Sequence, residues 1–241
     1  MPPVESFLYG KKIIGTVALM SGIHSVETMF MKSYAQMIQY NQEFLCDQGE
    51  TVHYLYANFS EHASARNYLA DNMMGDWVLM LDCDHAYSPR LLTRMLRLMY
   101  KHNIPVLSGL YQFRHKPYPP VIFTDGETKE NPFNLLDFSR KDFPREDDLI
   151  RVASSGAGCL LIKKEVFQKI KEAIKERPFS HRPPFSEDHS FFLRLKELNI
   201  PVHVAPWIEC HHIHHIKLKI DDYDNMDQEH LKKREVDIQT L

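Results

Sequence analysis

Two aspartates separated by a single residue, Asp82 and Asp84 with Cys83 between them, stand directly after the apolar run WVLML at 77–81. If that run is a buried strand, the pair sits at its carboxyl end, and alternation along an extended chain would aim both carboxylates to one side. Hard cations such as Mg²⁺ and Mn²⁺ take oxygen ligands and bridge carboxylates to the phosphates of a nucleotide. In that role they neutralise charge on a departing diphosphate. A bare D-x-D also arises by accident or caps the next turn, so the strand before it gives the pair its weight. Glu187 and Asp188 form a second acidic pair, at the start of a predicted helix where the macrodipole favours carboxylates even without function. Gly156 and Gly158, on either side of Ala157, suit close approach of backbone to a ligand or an ordinary tight turn.

The run Cys210-His211-His212-Ile213-His214-His215 invites a zinc reading. Structural zinc needs four tetrahedral ligands drawn from separated pairs, and no second Cys/His pair stands at suitable spacing. In an extended segment His212 and His214 share one face while His211 and His215 point the other way, so only part of the cluster can serve one ion.

The elements that must position these residues alternate between strand and helix. Residues 13–20 (IIGTVALM) read as a buried strand, and Val26, Phe30, Met37, Phe44 and Leu45 recur at helical spacing over 25–45. A strand is predicted at 51–56, then a helix capped by Ser60 and running to Met74, then the strand at 77–81. Ser88-Pro89 starts a further helix by N-cap and N1 chemistry, followed by an apolar strand at 105–110. Between Tyr111 and Ile150 the prolines at 117, 119, 120, 132 and 144 predict loops and short strands forming one wall of a site. Regular structure returns with a strand at 159–162, a helix at 164–175, a helix at 187–198 and a strand at 202–205. Such alternation argues for one α/β domain with a mostly parallel central sheet covered by helices, its ligands at the carboxyl ends of the strands. Residues 216–241 are charged and weakly patterned, and read as a surface helix or tail beyond a domain spanning 1–215.

At this point the chain resembles a known group. A-R-N-x-L-A followed by G-D-W-V-L-M-L-D-C-D-H is similar to the first half of a GT-A fold glycosyltransferase of the family-2 type. S-S-G-A-G-C-L-L-I-K-K-E-V-F (154–167) is similar to its glycine-flanked acceptor-side strand, S-E-D-H-S-F-F-L-R-L-K-E-L-N-I (186–200) to its glutamate-aspartate helix, and the segment around His212 to its late histidine. The resemblance, over about residues 12–215, implies a single GT-A-like (Rossmann-like) domain that moves a hexose or pentose from a nucleoside diphosphate sugar to an acceptor hydroxyl. The acceptor could be a glycan, a protein, a small molecule or modified DNA. It implies that Asp82, Cys83 and Asp84 contact nucleotide and cation (Mn²⁺ or Mg²⁺), with Asp84 the better direct ligand and His212 the third protein ligand. His211 replaces the small residue that often precedes that histidine. Arg66 would face the nucleotide, pairing with phosphate oxygens or lying against a base, although an arginine on a helix is usually solvated. Ser21 and Asn58, at the ends of the first two strands, would border the nucleoside. Gly156, Ala157 and Gly158 would shape the acceptor side. Asp188 matches the base that takes the acceptor proton in an inverting transfer, with Glu187 orienting it.

Bulk properties agree with such an enzyme. A chain of 241 residues, 44% hydrophobic, buries one substantial core without requiring two. A formal net charge of −3 with mixed signs advertises neither nucleic acid nor anionic membrane as an obligatory partner. Cys46, Cys83, Cys159 and Cys210 are widely spaced, as reduced thiols in a cytoplasmic protein would be. No apolar run approaches the length of a membrane span, so a soluble protein is expected. A nucleotidyltransferase is the nearest rival, but the start of the chain lacks a glycine-rich phosphate loop. A non-catalytic nucleotide- or sugar-binding module could keep the D-x-D but has no need of Asp188. The Q-x-x-R-W signature of processive synthases is absent, which favours transfer of single sugars.

Overall fold

The computed structural model describes residues 7–8, 10–21, 26–47 and 49–214. Strands β1 (Phe7–Leu8) and β2 (Lys11–Ser21) precede helix α1 (Thr28–Phe44). There follow β3 (Glu50–Asn58), α2 (His62–Asn72), β4 (Trp77–Asp82), β5 (His85–Ala86), α3 (Leu91–Lys101) and β6 (Val106–Leu110). Next come β7 (Ile122–Asp125), β8 (Phe133–Leu135), a 3₁₀ turn at Arg140–Asp142, β9 (Ile150–Val152) and β10 (Ser154–Ser155). The described part closes with β11 (Cys159–Lys163), α4 (Lys164–Ala173), α5 (Glu187–Glu197), β12 (Val202–Glu209) and β13 (His211–His212).

The central sheet has eight strands in the order β1-β2-β4-β11-β6-β12-β9, with β3 also paired to β2. β2, β3, β4, β6 and β12 run one way and β1, β9 and β11 run against them, so the sheet is mostly parallel. Both faces are covered, which is why β4 reads as a continuous apolar run rather than an alternating one. Val78 and Met80 point into a core built with Leu69 of α2, Ile170 of α4 and Phe192 of α5. Leu79 and Leu81 point into the opposite core, with Met37 of α1 and Met95 of α3. Each fully buried Leu or Met contributes about 1.5–3 kcal/mol, so the strand that ends in Asp82 is firmly anchored. Gly15 makes room for this anchoring, because a Cβ there would lie 2.1 Å from the Trp77 ring.

Several boundaries differ from the sequence expectation for physical reasons. The helix expected from Ser88-Pro89 begins at Leu91, because the Ser88 hydroxyl accepts the Arg90 N–H at 3.3 Å and its carbonyl accepts Leu91 N–H at 3.0 Å, closing a turn first. The helix expected from Ser60 is preceded by Glu61 as its cap residue. The strand expected to end at 205 continues to Glu209 across a bulge: Pro206 has no N–H to give, and pairing with β6 lapses after Ala205↔Gly109 and resumes at Glu209↔Leu110. Ser25, His215 and the charged stretch 216–241 lie outside the described residues. Among those described, no helix is long and apolar enough to cross a membrane, and all four cysteines are free thiols.

Two smaller pairings shape the carboxyl edge of the sheet. β7, β8 and β10 form a three-stranded sheet, and residues of the proline-rich segment, among them Tyr111, Arg114, Tyr118 and Phe138, line a cavity at that edge. β13 pairs antiparallel with β5, setting His211 opposite Ala86 and His212 opposite His85.

Candidate active site

β4 ends at Asp82, and the chain turns at Cys83-Asp84 instead of continuing extended. Alternation therefore does not govern the D-x-D, and its carboxylates part company. Asp82 faces Arg66 of α2, whose Nη2 lies 3.0 Å from Oδ1 and 3.3 Å from Oδ2. Asp84 faces two histidines, with Oδ1 2.8 Å from His85 Nδ1 and Oδ2 3.5 Å from His212 Nε2.

Arg66 is 3% exposed, so it is not the solvated arginine that a helix position usually gives. Its Nη1 donates to Ala157 O at 3.0 Å and its Nε to Glu187 Oε1 at 3.3 Å. One guanidinium thus joins the D-x-D strand, the glycine segment and the acidic helix. Burial alone would lower its proton affinity, but the carboxylates of Asp82, then Glu187 and Asp188, outweigh this and hold the pKa above its ordinary value. Such a charge is tolerable inside because each of the three guanidinium nitrogens has a hydrogen-bond partner.

β11 runs antiparallel between β4 and β6, so its start, not its end, meets Asp82. Gly158 O accepts the Asp82 N–H at 3.0 Å and the Tyr87 hydroxyl at 2.8 Å. The glycines are needed for space: a Cβ on Gly156 would lie 1.9 Å from Tyr111 Oη, and one on Gly158 would lie 3.0 Å from His85 Cε1 and 3.2 Å from Asp82 Oδ2. Neither has a positive φ, so the tight-turn alternative falls away. Tyr111 fills the space they leave, its Oη accepting the Gly158 N–H at 3.1 Å. Burial, and next the Asp82 carboxylate, push its phenol well above the usual value. It stays a neutral hydroxyl at the centre of the site.

Asp188 lies in the first turn of α5, half-buried, within the electrostatic reach of Arg66 and Tyr111. Its Oδ1 accepts the His189 N–H at 2.7 Å and a short bond from the Ser186 hydroxyl. Glu187 is buried beside it on Arg66. On the other side, Ser21 pairs in register with Asn58, and Met20 pairs with Asp82. Ser21 is buried, Asn58 is exposed, and the Cys83 thiol between them and Asp84 is raised by burial while a hydrogen bond with Ser21 opposes the shift.

Asp84, His85 and His212 bring ligand atoms within 4.8 Å of one another. His212 Nδ1 donates to Gln112 O at 2.8 Å, so Nε2 is the nitrogen left for another partner: it is buried, 3.5 Å from Asp84 Oδ2, and makes no hydrogen bond of good geometry. That carbonyl–histidine arrangement is the usual support of a metal-ligating imidazole. Burial would raise the Asp84 pKa, but contact with His212 and His85 and the charge of Arg114 hold it well below the carboxylate range. A carboxylate oxygen and an imidazole nitrogen are donors that suit a divalent cation. His85 fits less well. Its ring stacks on His212 at 4.2 Å and 11°, and an ion must lie in the plane of each imidazole that ligates it. Two parallel stacked rings share no such point, so as placed His85 supports the His212 ring and does not ligate with it. His211 is exposed and nearer Glu209, at 3.5 Å.

Beside this cluster opens a cavity of about 700 Å³, lined by Tyr111, Arg114, Phe138, Arg140, His212 and His214 among others. Arg114 reaches from it to Asp84 Oδ2 in a short ion pair. Tyr111, Arg114, Tyr87 and His85 were not marked as site residues by the sequence. Only His85 carried any signal, as the last letter of D-C-D-H.

Residues 33–170 match the model of glycosyl transferase family 2, more than half of the 241 residues. The chain belongs to that family. As a family 2 glycosyltransferase it takes a sugar from a nucleotide sugar to an acceptor hydroxyl, and the D-x-D strand and glycine segment described above fall within the matched region. The crystal structure of A197 from STIV is similar at TM-score 0.55 and 16% identity, over 83% of this chain and 86% of that one. The crystal structure of GalNAc-T7 with UDP, GalNAc and Mn²⁺ is similar at TM-score 0.59 and 10% identity, over 84% of this chain and 43% of that one. At these identities the likeness is one of fold. No curated protein matches the sequence.

Proposed function

We propose that this family 2 glycosyltransferase works with a divalent cation, Mn²⁺ or Mg²⁺, held by Asp84 and His212, and inverts the transferred sugar with Asp188 as base. The observation that carries the reading is the β5–β13 pairing, which sets His212 Nε2 3.5 Å from Asp84 Oδ2 across a long sequence separation. A cation at these residues would neutralise charge developing on the departing nucleoside diphosphate. Asp82 serves the donor side through its backbone and through a carboxylate fixed by Arg66, so Arg66 acts as a strut and not as a phosphate contact. Ser21, Asn58 and Cys83 border the nucleoside, and Gly156, Ala157 and Gly158 face the acceptor. Asp188 Oδ1 is oriented by Ser186 and the His189 N–H, which leaves Oδ2 to take the proton of the attacking hydroxyl. Glu187 holds the start of that helix to Arg66.

The sugar is a hexose or a pentose, and the acceptor a glycan, a protein, a small molecule or modified DNA. The test is a thermal-shift panel of nucleoside diphosphates and their sugars with and without Mn²⁺, since a ligand of the folded state alone raises the melting temperature. UDP belongs in the panel because a protein of the same fold holds it together with Mn²⁺. We expect a nucleotide shift that needs Mn²⁺, is lost in His212→Ala and is largely kept in His214→Ala. A shift equal in EDTA, or equal losses in the two variants, would remove the cation site. Release of pyrophosphate in place of a nucleoside diphosphate would overturn glycosyl transfer.

A further inference from the structure

Arg114 lies on the segment that leaves β6, outside the residues so far given a role. Its Nη2 is ion-paired with Asp84 Oδ2, the same oxygen that stands 3.5 Å from His212 Nε2. The guanidinium therefore sits on the carboxylate oxygen that a cation shared by Asp84 and His212 would have to use. The backbone that carries it is tied to the same histidine, because Gln112 O, two residues earlier, accepts His212 Nδ1–H at 2.8 Å. Gln112 and Pro120 are also bridged, which closes the loop bearing Arg114 at its base. The side chain itself is 47% exposed and borders the 700 Å³ cavity, so it has open space to move into.

Two positive groups cannot share one carboxylate oxygen at low cost. Like charges held on the same oxygen repel, a divalent ion more strongly than a monovalent one, and solvent around the half-exposed Arg114 weakens that repulsion without abolishing it. We propose that Arg114 is a counter-cation exchanged for the metal: it neutralises Asp84 in the metal-free protein, is expelled when the divalent ion binds, and then binds the diphosphate of the donor. The diphosphate follows from distance. A guanidinium that reaches Asp84 reaches whatever anion bridges to a cation on Asp84, and its planar fork matches two phosphate oxygens. The inference rests on the cation site proposed above. It makes one side chain act with opposite sign in the two binding steps, against the metal and for the nucleotide.

The test is Arg114→Gln in the full chain. Mn²⁺ alone is titrated first, by calorimetry or by the loss of free Mn²⁺ signal in electron paramagnetic resonance, with no nucleotide present. Because Arg114 is half-exposed, its pair with Asp84 is a modest competitor, and removing it is expected to tighten Mn²⁺ about two- to fivefold. Nucleoside diphosphate is then titrated at saturating Mn²⁺, where loss of charge-assisted bonds is expected to weaken binding about tenfold or more. Arg114→Lys keeps the charge without the fork, so its Mn²⁺ affinity stays near wild type while nucleotide affinity falls between the other two. A merely structural arginine would weaken both ligands or neither. Wild type that binds Mn²⁺ no more weakly than Arg114→Gln overturns the exchange while leaving the cation site standing. Wild type that binds no Mn²⁺ at all overturns both.

Discussion

Replacing Arg66 by Met keeps most of the aliphatic stem and removes the charge that three parts of the site share. The variant strands two carboxylates, Asp82 with 23% and Glu187 with 11% of its side chain exposed, and leaves Ala157 O without its donor. Breaking a buried pair in this way costs about 3–5 kcal/mol, chiefly through the charge left behind. Asp82 retains some water, so the lower end, about 3 kcal/mol, is the expected loss. For a chain of this length 1 kcal/mol moves the melting temperature by about 2–4 °C, which gives a fall of roughly 6–12 °C. The assay is urea unfolding followed by circular dichroism, with melting curves beside it, in EDTA and without nucleotide so that no ligand contributes. Adding Glu187→Gln to Arg66→Met should recover part of the loss, because one stranded charge becomes a neutral amide. A single variant that melts within roughly 2 °C of wild type would behave as an ordinary surface substitution. In that event Arg66 would not be the buried strut described here.

Asp188→Asn keeps the shape of the side chain and removes its basicity, so turnover should fall about 10²- to 10⁴-fold while donor affinity hardly changes. Near-normal rates, or a product that keeps the donor's anomeric configuration, would move the base elsewhere and favour retention. Asp84 supplies a pH dependence. Its folded pKa is depressed, so the stability it contributes is fully present above its unfolded value of 3.8 and is lost as pH falls toward the folded value. In urea unfolding without metal, the stability difference between wild type and Asp84→Asn should therefore narrow as pH drops from 5 to about 3. A difference that persists undiminished at pH 3 would refute the depressed pKa.

The strands were legible where both faces are buried. β2, β4 and β6 are continuous apolar runs because helices cover them on each side, and no other local pattern of that length competes. The D-x-D at the end of β4 and the acidic pair at the start of α5 were legible for the same reason, since a strand end and a helix start are local features. The direction of β11 was not. Cys159-Leu160-Leu161-Ile162-Lys163 is equally apolar whichever way it runs, and its reversal is set by the route of residues 111–155 across the sheet edge. For Arg66 the resemblance implies a place facing the nucleotide, and the sequence does not show that its burial is compensated by Asp82, 16 residues away, and Glu187, 121 residues away. No window of sequence contains both. The D-x-D also misled in one respect, because alternation holds only while the chain stays extended and the chain turns at Cys83.

His212 and Arg114 show how the two distant halves of the site are made to depend on each other. The chain leaves β6 at Leu110 and leaves β12 at Glu209, and beyond the sheet the two exits stay side by side, with Leu110 O accepting the Cys210 N–H at 2.8 Å and Gln112 O holding His212. The segment from β12 is pinned again on its far side, where Ile213 N–H donates to Asp84 O at 2.8 Å. Asp84 is thus gripped by its backbone as well as its carboxylate, and a shift of either exit alters the distance between Asp84 Oδ2 and His212 Nε2. Because the imidazole and the guanidinium stand on neighbouring exits and approach the same Asp84 Oδ2, a cation that used this oxygen together with His212 would have to displace Arg114 from it. The geometry that would build the cation site therefore also builds its competitor, and the balance between them can be tuned by substitutions at Arg114 without disturbing either strand.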